Sequence, residues 1–234
     1  MVSLDITCMI AKRFHIDYLK VNYSVGINQI SINLDKIFDS YHFNKEDNII
    51  DFLISISEEI QNTYKDTMIQ FFADSYVLSQ DHIFIACYYV QKAFYNKANI
   101  SKSKNIEFLL YLTARRQIKN AIEAFGIKKT DFTLKKLNYC IISKENNLNE
   151  INQEIILKLM ADEVEITLNG KAVEKFNRIK SFYGILDEQI ECVLNSYGFE
   201  PFNKNNIAHN LENVFIALYD LICEKMSLLS LEKI

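Results

Sequence analysis

A single proline, Pro201, and five glycines punctuate 234 residues. So few chain breakers leave little material for long loops or Pro-rich linkers, and they point to abundant helix. The composition, 49% hydrophobic and 24% charged, is that of a globular chain, long enough for one sizeable core or two small ones. The longest nearly apolar run, "IIDFLISISEEI" (49–60), holds Asp51 and ends on two glutamates, too short and polar to span a bilayer. The opening "MVSLDITCMIAKRFH" lacks a basic start, a long apolar centre and a small-residue cleavage site, so no signal peptide is expected. Cys8, Cys87, Cys140, Cys192 and Cys223 are odd in number, widely spaced and in apolar surroundings. They read as reduced, buried thiols of a cytosolic protein, without metal or disulfide spacing.

Periodicity divides the chain further. "DITCMIAKRF" and "LKVNYSVGI" read as strands, followed by a helical pattern ending near Tyr64, and "DTMIQFFAD" as a buried strand. Ser79 or Asp81 caps a helix carrying Ile83, Cys87, Val90 and Phe94 on one stripe. Ser101 is read as the cap of the next, with Ile106, Leu109, Leu110 and Thr113 at helical spacing. In "YLTARRQIKNAIEAFGIKK", the spacing of Ile118, Ala121, Ile122 and Phe125 predicts one buried face, closed at Gly126. Arg116, Lys119, Asn120 and Glu123 are expected opposite it, facing water, with Arg115 at the border. "LKKLNYCIIS" reads as another strand and "VEITLNGKAV" as a small hairpin turning at Asn169-Gly170. "KAVEKFNRIKSFYG" and "LENVFIALYDLICEKMSLLSL" read as helices, the latter with Leu211, Val214, Phe215, Leu218 and Ile222 on one side.

Known catalytic signatures are missing. Isolated glycines cannot build a phosphate loop, and there is no His-Glu-x-x-His, Cys-x-x-Cys or Gly-x-Ser-x-Gly. An enzyme is therefore not expected, and neither is a cofactor or a metal. What stands out is charge. Net charge is −4, yet residues 97–136 hold Lys97, Lys102, Lys104, Arg115, Arg116, Lys119, Lys128, Lys129, Lys135 and Lys136 against Glu107, Glu123 and Asp131, a local +7. An acidic chain with one basic sector suggests local anion binding rather than a general nucleic-acid coat. The plainer account is a solvated helix face, with Lys119 and Glu123 paired at i, i+4.

"SQDHIFIACYYVQKAF" followed by "NISKSKNIEFLLYLTARRQIKNAIEAFGIK" resembles the central signature of the KEOPS (EKC) complex accessory subunit family, whose vertebrate member is TPRKB. The likeness runs through Asp81-His82, Ala93-Phe94, Glu107 to Tyr111, and Arg116 to Ile127, and returns in "LYDLICEKMSLL". Thr113-Ala114 stands where the family has a Ser-Gly pair, and 146–210 resembles the family least. The resemblance implies an α/β (α+β) fold, a small antiparallel sheet surrounded by helices. With no internal repeat and no linker-like shift in composition, the chain reads as one domain over 1–234 with a helical C-terminal elaboration and a family-atypical insert at about 146–210.

The resemblance also implies a non-catalytic cytoplasmic subunit. Such a protein binds the complex's kinase subunit, and through it the threonylcarbamoyl transferase subunit. It recruits tRNA by the single-stranded 3′ CCA end for modification of an anticodon-loop adenosine. Arg116, Lys119, Arg115, Lys128, Lys129, Lys102, Lys104 and His82 are the candidates for the RNA; Phe84, Tyr88, Tyr89 and Tyr95 are those for the kinase. Two other readings stay open: an adaptor that regulates the kinase without RNA, and an enzyme with an unrecognised site. Arg116 also has a structural alternative, holding carbonyls at the helix junction.

Overall fold

The structure, a computed structural model, describes residues 8–42, 49–134, 136–229 and 231. Lys135, residues 5–7 of the first expected strand and Ser230 of the last expected helix lie outside them. The chain divides into two compact units, one comprising residues 1–73 and 126–166, the other 74–125 and 167–234.

The first unit carries the sheet. Strands β1 (Ile10–Ile16), β2 (Val21–Ser31), β3 (Met68–Phe72), β4 (Lys136–Ser143) and the two-residue β5 (Asp162–Glu163) are all antiparallel. Their order is β1-β2-β4-β3, with β5 added to β2. Helices α1 (Leu34–Tyr41), α2 (Ile49–Thr63) and α6 (Leu148–Leu159) belong to the same unit. The register sets Ile69 against Ile141, Phe71 against Tyr139 and Ile30 against Leu137, so alternate residues of three strands share one face. They form a core with Ile49, Phe52, Leu53, Ile56 and Ile60 of α2 and with Ile151, Ile155 and Leu159 of α6, both helical repeats. Gly26 pairs with Ile141 on that face, where a Cβ would meet Met9 Sδ at 2.6 Å. A buried polar cluster ties β5 down: Asn28 Nδ2 donates to Asn152 Oδ1 (2.9 Å), and Asn152 Nδ2 to Glu163 Oε1 (2.9 Å).

The second unit is helical: α3 (Gln80–Tyr95), α4 (Lys104–Thr113), α5 (Ile118–Phe125), α7 (Val173–Tyr183), α8 (Asp187–Ser196) and α9 (Leu211–Leu229). Ser79 is the cap of α3, its Oγ accepting from His82 N. The fold class is thus α+β, a small antiparallel sheet with helices and a helical C-terminal part.

Several local expectations are corrected. The cap position of α4 is Ser103, not Ser101, because buried Glu107 reaches back and its carboxylate accepts from Ile100 N and Ser101 N, folding that loop against the helix start. Residues 164–172 contain no strand and so no hairpin, since β5 finds its partner in β2. On α5, Ala121, Ala124 and Phe125 are buried, but Ile118 and Ile122 are 44% and 46% exposed. The periodicity was right for helix, but the buried stripe is turned toward the alanines. Cys87 and Cys140 are buried free thiols, whereas Cys8 and Cys192 are exposed.

Candidate functional site

The helical unit concentrates its unusual chemistry where α4 gives way to α5. Helix α4 ends on Ala114 in the left-handed region (φ 49°), its N–H donating back to Leu110 and Tyr111 carbonyls. A glycine would adopt that conformation freely; alanine bears a strain of about 1 kcal/mol. The turn is supported by Thr113 Oγ1, which accepts from Arg115 N at 3.2 Å.

The turn delivers two arginines in different directions. Arg115 is exposed; its Nη2 donates to Phe182 O (2.6 Å) and its guanidinium lies 5.0 Å from the Phe182 ring centre. Phe182 in turn stacks on Tyr76 at 4.0 Å and 15°. Arg116 is half-buried, and its Nη1 donates to the carbonyl oxygen (3.2 Å) of Leu229, the last residue of α9. The structural alternative for Arg116 thus has an observed bond, but to α9 rather than to the Thr113-Ala114 junction.

Between these groups opens a pocket of about 300 Å³ lined by Thr113, Ala114, Arg115, Tyr183, Lys225, Leu228 and Leu229. Its cations are Arg115 and Lys225, and no carboxylate lines it among the described residues. Lys225 escaped the sequence reading, because it sits more than a hundred residues from the arginines on a helix read only for its apolar side.

The other candidates are dispersed. Lys119 is exposed and lies 3.9 Å from Glu123, beside the uncovered Ile118 and Ile122. Lys102 and Lys104 lie at the opposite end of α4 from the arginines, about 15 Å away along a ten-residue helix. Lys104 Nζ stands 5.8 Å from the Phe94 ring centre. Lys128 and Lys129 are exposed and belong to the sheet-bearing unit.

His82 is removed from the RNA candidates. It is wholly buried, its Nδ1 accepting from Leu78 N (3.3 Å) and its Nε2 lying 3.3 Å from Tyr183 Oη. Tyr183 Oη itself donates to Leu112 O (2.5 Å), which leaves its oxygen to accept from the imidazole. One neutral tautomer satisfies all three contacts. Burial, reinforced by the Lys175 charge, depresses the His82 pKa from 6.5 to about 3, against a smaller upward pull from the Leu112 carbonyl. His82 therefore pins α3 to α7 and to the end of α4.

Among the partner candidates, Phe84 is also a core residue, 3% exposed. Tyr89 is half-buried, stacked on Tyr111 at 5.4 Å and 15°. Tyr88 is half-buried and Tyr95 is 41% exposed. Helix α9 packs on α3 and adds Ile216, 41% exposed, with half-buried Tyr219 and Cys223 on the same side. Burial pushes the Cys223 thiol up to about 11, only partly offset by its bond to Tyr219, so it is protonated and unreactive at neutral pH. Asp81 and Asp220 act electrostatically on both Tyr219 and Cys223, giving this aromatic face an acidic margin. Among the described residues no helix is long and apolar enough to cross a membrane, and no group of three His, Cys, Asp or Glu could hold a metal ion.

Comparison with known proteins returns one family: the model described as kinase binding protein CGI-121 matches residues 44–229. No curated protein matches the chain.

Proposed function

The chain belongs to the CGI-121 family of kinase binding proteins, and on that premise we propose that it is a non-catalytic subunit of the KEOPS tRNA-modification complex. In this reading it binds the kinase subunit and recruits tRNA by its 3′ CCA end, so that the transferase subunit can threonylcarbamoylate the anticodon-loop adenosine. The family match carries the kinase half of the proposal. The α3–α9 face supports it, because Tyr88, Tyr95, Ile216 and Tyr219 leave apolar area in water that a partner would cover.

The pocket at the α4–α5 turn supports the RNA half. Arg115 and Lys225 line it with no carboxylate among the described residues, and a guanidinium backed by an aromatic ring suits both phosphate and base. Ile118 and Ile122 add an apolar ledge on the next helix. The decisive experiment is binding of the chain to tRNA with and without the terminal CCA. Loss of most affinity on removing the tail is expected; equal affinity overturns tail recognition.

A second reading, an adaptor that regulates the kinase and ignores RNA, is favoured by one observation: both arginines already donate to backbone carbonyls. It predicts firm kinase binding together with no salt-dependent tRNA binding at all.

A further inference from the structure

In the sheet-bearing unit, two adjoining depressions of about 320 and 340 Å³ share Arg13, Ser24 and Asn146. We propose that the groove they form, between β1, β2 and the 144–149 segment, binds a phosphate-bearing ligand, with Arg13 as the anchoring cation.

Arg13 stands where the two depressions meet. Its Nη2 donates to Asn146 Oδ1 at 2.8 Å, which fixes the side chain through a neutral amide rather than a carboxylate. The guanidinium thus keeps its full charge and most of its donors for a ligand, already oriented. Lys12 lines one depression and Lys144 the other. Lys144 is paired with Asp66 at 2.9 Å, so it contributes less than its charge suggests. The remaining polar lining is neutral, Ser24, Asn22, Asn146 and Asn149, and neither depression is lined by a carboxylate among the described residues. Arg13, held by one amide beside further amides and a hydroxyl, describes an anion site, because the amides donate without adding repulsive charge.

Phe14 and Tyr23, stacked on each other at 5.2 Å and 9°, alternate with Arg13 and Ser24 along the paired strands and are directed to the other face of the sheet. Recognition therefore falls on the phosphate itself, which occurs in a free nucleotide and along an RNA strand, and the groove serves either source.

The site rests on different residues from those of the α4–α5 pocket and stands independently of the reading given there. The test uses the full chain and two probes, ADP by calorimetry and a fluorescein-labelled uridine octamer, which has no CCA, by anisotropy. At least one is expected to bind with a Kd below about 1 mM at low salt. Arg13→Gln should weaken it at least tenfold, as removal of charge-assisted bonds does. Asn146→Ala should weaken it less, and Arg115→Ala should leave it unchanged. Binding of ADP alone assigns a nucleotide site, and binding of the octamer alone a phosphodiester track. Failure of both probes overturns the proposal, as does undiminished affinity in Arg13→Gln with an unchanged melting temperature.

Discussion

At the scale of single residues, burial decides what titratable groups do. His82 has a folded pKa of about 3 against 6.5 when exposed, so between those values the unfolded chain holds the extra proton. Its contribution is complete above pH 6.5 and is lost as pH falls, by up to about 1.4 kcal/mol per unit. Urea midpoints at pH 7 and pH 5 should therefore drop for the native chain. They should drop less for His82→Gln, which starts about 1–3 kcal/mol lower through lost hydrogen bonds. Equal pH slopes would show that His82 is not the acid-sensitive group. Arg116→Glu aims a carboxylate at the Leu229 carbonyl that Arg116 now holds. It should cost about 1–2 kcal/mol and a few degrees of melting temperature. Lys119→Glu should leave the melting curve in place, since Lys119 is exposed and its 3.9 Å pairing with Glu123 lies on the surface. If Arg116→Glu melts like the native chain, its bond to α9 is dispensable. None of this ranking was legible in sequence. His82, near a helix start, reads as a candidate for RNA, and only the arrival of Tyr183, a hundred residues later, makes it a core group.

At the scale of elements, local rules served well wherever the signal was local. The Ser79 cap, the α2 repeat and the β-branched and aromatic strands follow from spacing and propensity. Misreadings arose where a distant residue overrode the pattern. Glu107 shifts the start of α4, and the side that α5 buries depends on what its alanines meet. Ala114 shows the same limit in another form, for an alanine gives no local signal of the left-handed conformation that the backbone takes there. Ala114→Gly should relieve that strain and raise stability by about 0.5–1 kcal/mol, partly offset by a freer unfolded chain. Thermal denaturation measures it; a fall in stability would mean that the alanine methyl contributes packing worth more than the strain. On the α3–α9 face, Ile216→Glu should abolish co-purification with the kinase subunit while leaving helix content unchanged, as expected for an exposed apolar residue. Retention of the kinase would move the docking surface elsewhere.

For the whole molecule, composition foretold abundant helix and the resemblance foretold the family, but the division into two units was invisible. Each unit is assembled from separated stretches, and periodicity carries no information about which stretches come together. That arrangement constrains how the protein is made. Strand β2 ends at Ser31, and the central strand it needs begins at Lys136. At roughly 5–20 residues per second, a ribosome takes about 5–20 s to deliver the missing strand. Throughout that interval the bonding edge of β2 and its apolar face wait without their native partner. An edge and a face left waiting in this way are open to other chains, so slowing the ribosome across 31–136 should aggregate a protein whose finished sequence is unaltered.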